Sequence, residues 1–175
     1  MKKSVILSMI GLTSSPCLAD GSISTNKHFS AEVVNIRRAA TGKTLVTVVF
    51  TASAEVDSVS LYGNTQDCRS SATLIDADGN EYGTLRCMSL ASGGGSTFQN
   101  FSGTGFKMDK EQKSSFVYEF STPKSNNISS LININMIVPI YYDYCPLNHI
   151  NGFGNPALFC TSNTTTLSFY NLSTK

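Results

Sequence analysis

The chain has 175 residues, with 13 basic against 12 acidic side chains, five cysteines and no tryptophan. A charge this close to balance gives no electrostatic reason to expect nucleic acid or an anionic membrane surface as a partner. The length suits one domain with a sizeable core.

The basic start Met1-Lys2-Lys3 is followed by a short apolar run, Val5 to Leu12, and then by Cys17-Leu18-Ala19. Small residues flank Leu18 as in a signal-peptidase site, which predicts a signal peptide over residues 1–19 and cleavage before Asp20. Lipid attachment at Cys17 is the rival reading, but Pro16 directly before the cysteine breaks that pattern. The apolar run is shorter than the ~20 residues of a membrane span, and no later run is longer, so no membrane insertion is expected. The expected product is exported, periplasmic or secreted. Residues 20–30, with His28, read as a loose N-terminal segment, and residues 31–175 as a single domain.

Loss of Cys17 leaves Cys68, Cys87, Cys145 and Cys160. An even count in an exported chain predicts two disulfides. The sequential pairing, Cys68–Cys87 and Cys145–Cys160, joins cysteines that are near in sequence. A four-cysteine metal site would need Cys-x-x-Cys knuckles, which are absent, so no metal or cofactor is expected.

Strand signals follow in order. Residues 31–38 are rich in β-branched side chains. In Lys43–Ala52, Val46, Val48 and Phe50 share one face. Thr41-Gly42 marks the turn between these two runs. Val56–Gly63 turns Val59 and Leu61 inward. Asp76-Ala77-Asp78-Gly79 then sits between two strand-like runs, as either a type I turn with a glycine bulge or a two-residue type I′ turn. A Cys68–Cys87 bridge favours the two-residue turn, or else a second bulge, because it needs both cysteines on one face.

Residues 89–114 break the alternation with glycine and serine and read as a mobile connection. Their glycines lack the Gly-Lys-Ser/Thr of a phosphate cradle. In 114–122, Phe116, Tyr118 and Phe120 face one way, Val117 and Glu119 the other. In 129–140, Ile132, Ile134, Met136 and Val138 align, and Pro139 marks an end or an edge. The last run, 164–173, places Leu167 and Phe169 inward.

Short alternating strands with frequent turns predict an all-β fold: a two-sheet antiparallel sandwich of about eight strands, stapled by two disulfides. The run from TLVTVVFTA through VSLYG, CRSSATLIDADGNEYGTL and KMDKEQKSSFVYEF resembles immunoglobulin-like domains of exported bacterial proteins. The resemblance spans roughly residues 31–121 and implies a fold, not an activity. Without tryptophan, the Cys…Trp…Cys core of antibody domains is missing.

Catalytic groups are sparse. There are two histidines, His28 and His149, and neither a Gly-x-Ser-x-Gly elbow nor a His-Glu-x-x-His motif. Cys145 with His149 could serve as thiol and base, but a disulfide removes the nucleophile. Asp76 and Asp78 could pair for acid–base work or calcium, yet a tight turn explains them more simply.

The segment Tyr141–Cys160 shows neither strand alternation nor helical period and reads as an irregular loop held at both ends. Tyr141, Tyr142, Tyr144, Asn148, His149, Asn151 and Phe153 are its candidate contacts, since tyrosine offers large amphipathic area at small entropic cost. The expected function is an exported, non-catalytic module binding a protein or glycan through loops at one end. One alternative is a structural subunit or accessory protein of a bacterial surface or secretion assembly, held by an exposed strand edge. The other is a small exported hydrolase combining His149 with a carboxylate and a hydroxyl.

Overall fold

The computed structural model describes residues 21–39, 42–62, 72–90, 99–100, 106–122, 134–146 and 160–173. Among them are eleven strands, all paired antiparallel, and no helix. They are β1 (Ile23–Thr25), β2 (Phe29–Ala39), β3 (Lys43–Ala52), β4 (Val56–Tyr62), β5 (Thr73–Ile75) and β6 (Glu81–Leu90). After these come β7 (Gln99–Asn100), β8 (Phe106–Asp109), β9 (Lys113–Ser121), β10 (Ile134–Pro146) and β11 (Thr161–Leu172). The expectation of about eight strands falls short because β1, β7 and β8 have two to four residues each, too few for alternation to register.

One ladder runs β1-β2-β3-β9-β6, with β7 on β6. The other joins β11, β10, β4 and β8, with β5 also on β10. Strand β6 belongs to both. Glu81–Gly83 pair with β5, whereas Thr84–Leu90 pair with β9, and the register shifts between Thr84 and Arg86. Such a bulge lets one strand turn a corner between sheets. Inward side chains from both ladders form one core cluster, including Val46, Val48, Phe50, Phe116 and Phe120 from the first and Leu61, Met136, Val138, Leu167 and Phe169 from the second. The face assignments for β3, β4, β9 and β11 agree with the alternation of the sequence. No helix among the described residues is long and apolar enough to cross a membrane.

Three of the exposed large apolar side chains are products of irregular pairing. Val34 lies at the β2 shift between Val33 and Asn35, and Leu85 at the β6 shift. Tyr170 lies where Tyr170 and Asn171 of β11 stand against the single Asn135 of β10. Bulges re-aim side chains, so the exposure of these residues is set by local geometry.

The Asp76 turn is of the bulged kind, which corrects the preference for two residues. Gly79 N–H donates to Asp76 O at 3.1 Å, Gly79 has φ +82°, and Ile75 pairs with Glu81. The Asp76 carboxylate decides it by accepting from Asp78 N (3.0 Å), Asn80 N (2.9 Å), Asn80 Nδ2 (3.0 Å) and the Tyr82 hydroxyl (2.8 Å). Asp76 is thus committed to the turn.

Residues 21–30, expected to be loose, are built in. Ile23–Thr25 pair with Ser30–Glu32, Ser22 O accepts from Val33 N, and Gly21 O accepts from Tyr170 N at 3.0 Å. A Cβ on Gly21 would collide with the backbone carbonyl of Tyr170, so only glycine permits this approach. The connection at 89–114 is also partly ordered, since β6 continues to Leu90 and β8 pairs with β4.

Candidate functional site

Strand β10 runs straight through Pro139 and on to Pro146, which corrects the reading of Tyr141–Cys145 as irregular. Strand β11 covers one edge of β10 throughout, while β5 and β4 share the other: β5 at Asn135–Ile137, β4 from Tyr141 onward. Pro139 falls in the gap between those two. It faces Thr166, and a residue without an N–H cannot belong to a doubly hydrogen-bonded pair, so this pair is of the non-bonded kind. The missing donor therefore falls where β10 has no strand partner.

Extension of β10 gives the three tyrosines different places. Tyr142 is buried and Tyr144 half-buried, both on the core side, whereas Tyr141 points outward and is 45% exposed. Beyond Tyr144↔Thr161 the next opposed residues are Cys145 and Cys160, which form a disulfide with Cα atoms 4.2 Å apart. The bridge thus closes the β10–β11 connection across the ladder end, as the pairing Cys145–Cys160 predicts, and it excludes a site built from four cysteine thiolates. Closing a loop of this length constrains the unfolded chain by about 3 kcal/mol in the chain-entropy account. Cys87 is also disulfide-bonded. Cys68, its expected partner, lies outside the described residues, as do Asn148, His149, Asn151 and Phe153.

The inward tyrosines meet His28, which the sequence reading left in the loose segment. Asn26 Oδ1 accepts from His28 N (2.7 Å) and Phe29 N (2.9 Å), and His28 O accepts from Ser53 N (2.8 Å). This asparagine turn holds the His28 ring stacked on Tyr144, with centroids 3.7 Å apart and planes at 13°. His28 Nδ1 lies 3.0 Å from the Tyr142 hydroxyl. The Tyr142 ring meets Phe29 edge-on at 5.1 Å, and Phe29, Phe50 and Phe116 carry the aromatic row into the core. The available signal was Asn26 followed by Phe29, Ala31 and Val33 in alternation, which extends β2 back to Phe29.

Burial pushes His28 below its ordinary proton affinity, Lys27 adds to this, and Glu55 opposes it. Burial, then Tyr144, raises Tyr142. Both shifts favour the neutral forms of the pair. The asparagine turn also borders an open groove of about 460 Å³, with Phe29, Glu111 and Lys113 in its lining. Asn26 Nδ2 is buried there with no hydrogen-bond partner among the described residues. The ensemble offers aromatic faces, neutral polar groups and a groove, a chemistry of recognition.

No protein-family model and no curated protein matches the chain. Among solved structures, an uncharacterized β-sandwich protein from Clostridium difficile 630 aligns over 73% of this chain and 85% of its own, with 11% identity and a TM-score of 0.42. A GAE domain from a yeast GGA protein aligns over 85% and 98%, with 11% identity and a TM-score of 0.39. A family 123 glycoside hydrolase from Clostridium perfringens aligns over 75% of this chain but 21% of its own, at 11% identity and a TM-score of 0.28. Likenesses at these scores assign the chain to no family and carry no activity over to it.

Proposed function

We propose that the protein is an exported, non-catalytic recognition module that binds a protein or a glycan at the end of the fold carrying His28, Tyr141 and Tyr144. In this reading the two ladders close as an immunoglobulin-like sandwich, with Cys68–Cys87 as the second bridge. The carrying observation is the stack of His28 on Tyr144 beside the Cys145–Cys160 bridge. A disulfide that ties Cys145 to Cys160 beside the His28–Tyr144 stack lowers the entropy lost when that end is contacted. Export is supported by the disulfides themselves, which persist in oxidising compartments.

The test pairs two variants, measured against a glycan panel and against partners captured by the purified mature protein. Tyr141→Ser with Tyr144→Ser should lower affinity at least tenfold, or about 1.4 kcal/mol, while the protein still unfolds cooperatively. Tyr142→Ser, which empties a buried position, should lower the melting temperature instead. Unchanged affinity in the first variant would remove Tyr141 and Tyr144 from any contact surface and overturn the proposal. The separate reading of Cys145 as a thiol nucleophile beside His149 is lost, because Cys145 is bonded to Cys160.

A further inference from the structure

The outer face of the first ladder carries a straight row of polar side chains. Thr25 of β1 opposes Ser30 of β2, Ser30 opposes Thr51 of β3, and Thr51 opposes Lys113 of β9. Directly opposed residues share a face, and the residues that alternate with them, Phe29, Ala31, Phe50 and Ala52, are buried in the core. The row therefore faces outward, with three hydroxyls and one ammonium set at strand spacings of about 4.8 Å. Among the described residues, none of these four side chains makes a hydrogen bond or an ion pair.

The same four residues line the groove of about 460 Å³ beside the asparagine turn, and Ser53 and Glu111 join them there. Ser53 Oγ accepts from Glu55 N at 3.2 Å, which leaves its own O–H to donate. Glu111 sits in the turn between β8 and β9 at φ 59°, where glutamate is strained and glycine is not. It is exposed and has no partner among the described residues. A carboxylate kept at such a position points to use, because folding alone would favour glycine.

The lining selects among ligands. An anion is opposed by the Glu111 carboxylate and a cation by the Lys113 ammonium. A peptide anchor needs an apolar or aromatic pocket, and Phe29, the aromatic residue of the lining among the described residues, is only 1% exposed. A neutral polyol meets every group present. Its hydroxyls donate to Glu111, accept from Lys113, and do both with Thr25, Ser30 and Thr51. The volume falls in the range of small-molecule sites. We propose that this groove is a subsite for a short neutral saccharide laid across β1, β2, β3 and β9. The inference rests on the recognition reading of this end of the fold and assigns a glycan as its ligand.

The isotope-labelled mature protein should be titrated with lactose, maltose, cellobiose and N,N′-diacetylchitobiose at millimolar concentration. At least one should shift the backbone amide resonances of Ser30, Thr51 and Lys113, and glucuronate and glucosamine should shift them less. Ser30→Ala with Thr51→Val removes two hydroxyls from an outward face and should weaken that saccharide about tenfold or more, with the melting temperature unchanged. Glu111→Gly should weaken it as well without lowering the melting temperature, so that lost binding cannot be taken for lost folding. No shift at these amides with any of the four sugars, or a saccharide whose affinity both variants leave intact, overturns the groove. If that saccharide is lost instead by Tyr141→Ser with Tyr144→Ser, the recognition reading stands and only the groove falls.

Discussion

Burial and the Lys27 charge hold the His28 ring below its ordinary value of 6.5, with Glu55 only partly opposing them. The linkage sign follows. A folded-state value below the unfolded one means that the contribution is complete above pH 6.5 and is lost as pH falls through the folded value. The wild-type melting temperature should therefore fall more steeply between pH 7 and pH 5 than that of His28→Gln, and parallel curves would refute the assignment. At Asp76, burial raises the carboxyl, but bonds from Asn80, Tyr82 and the backbone of Asn80 and Asp78 outweigh it and leave the group below its ordinary 3.8. Its contribution is present above that value and is lost as pH falls further. Tyr82, hydrogen-bonded to the same carboxylate, is pushed up to about 12, by burial first. Asp76→Ala strands two backbone donors and a hydroxyl, and urea unfolding should register a loss of about 2 kcal/mol.

Strands were legible in the sequence wherever one face is buried over five or more residues, as in β3, where every even position from Thr44 to Ala52 is buried. Other features were hidden for identifiable reasons. Tyr141–Pro146 seemed irregular because tyrosine stands on both faces of β10, and Tyr141 and Tyr142 cannot be told apart by composition. Pro139 signalled an end because a gap between two partner strands on one edge is a tertiary fact. His28 was missed because its partners lie over a hundred residues away, and local signals carry nothing about them. Strand β8 offered only Phe106 and Met108 to read. Its contribution is testable nonetheless, since Met108 is fully buried against β4. Met108→Ala should cost about 2–5 kcal/mol by calorimetry or denaturant titration, the range for emptying a packed site. A loss well below 1 kcal/mol would mean that β8 is peripheral.

At the scale of the molecule, Gly21 and Tyr170 place the two ends of the described chain side by side, with a carbonyl of one bonded to an N–H of the other. The fold is therefore nearly a closed ring, and where the ring is cut is a matter of covalent connectivity. Ser173 could be joined to Gly21 by a linker of about five residues at little entropic cost. New ends could be opened between Lys110 and Glu111, in an exposed turn where Glu111 is held at φ 59° and would gain freedom. The circularly permuted chain should unfold in a single transition within a few degrees of the original. Its core would then be shown to depend on which strands touch, and not on the order in which the ribosome delivers them.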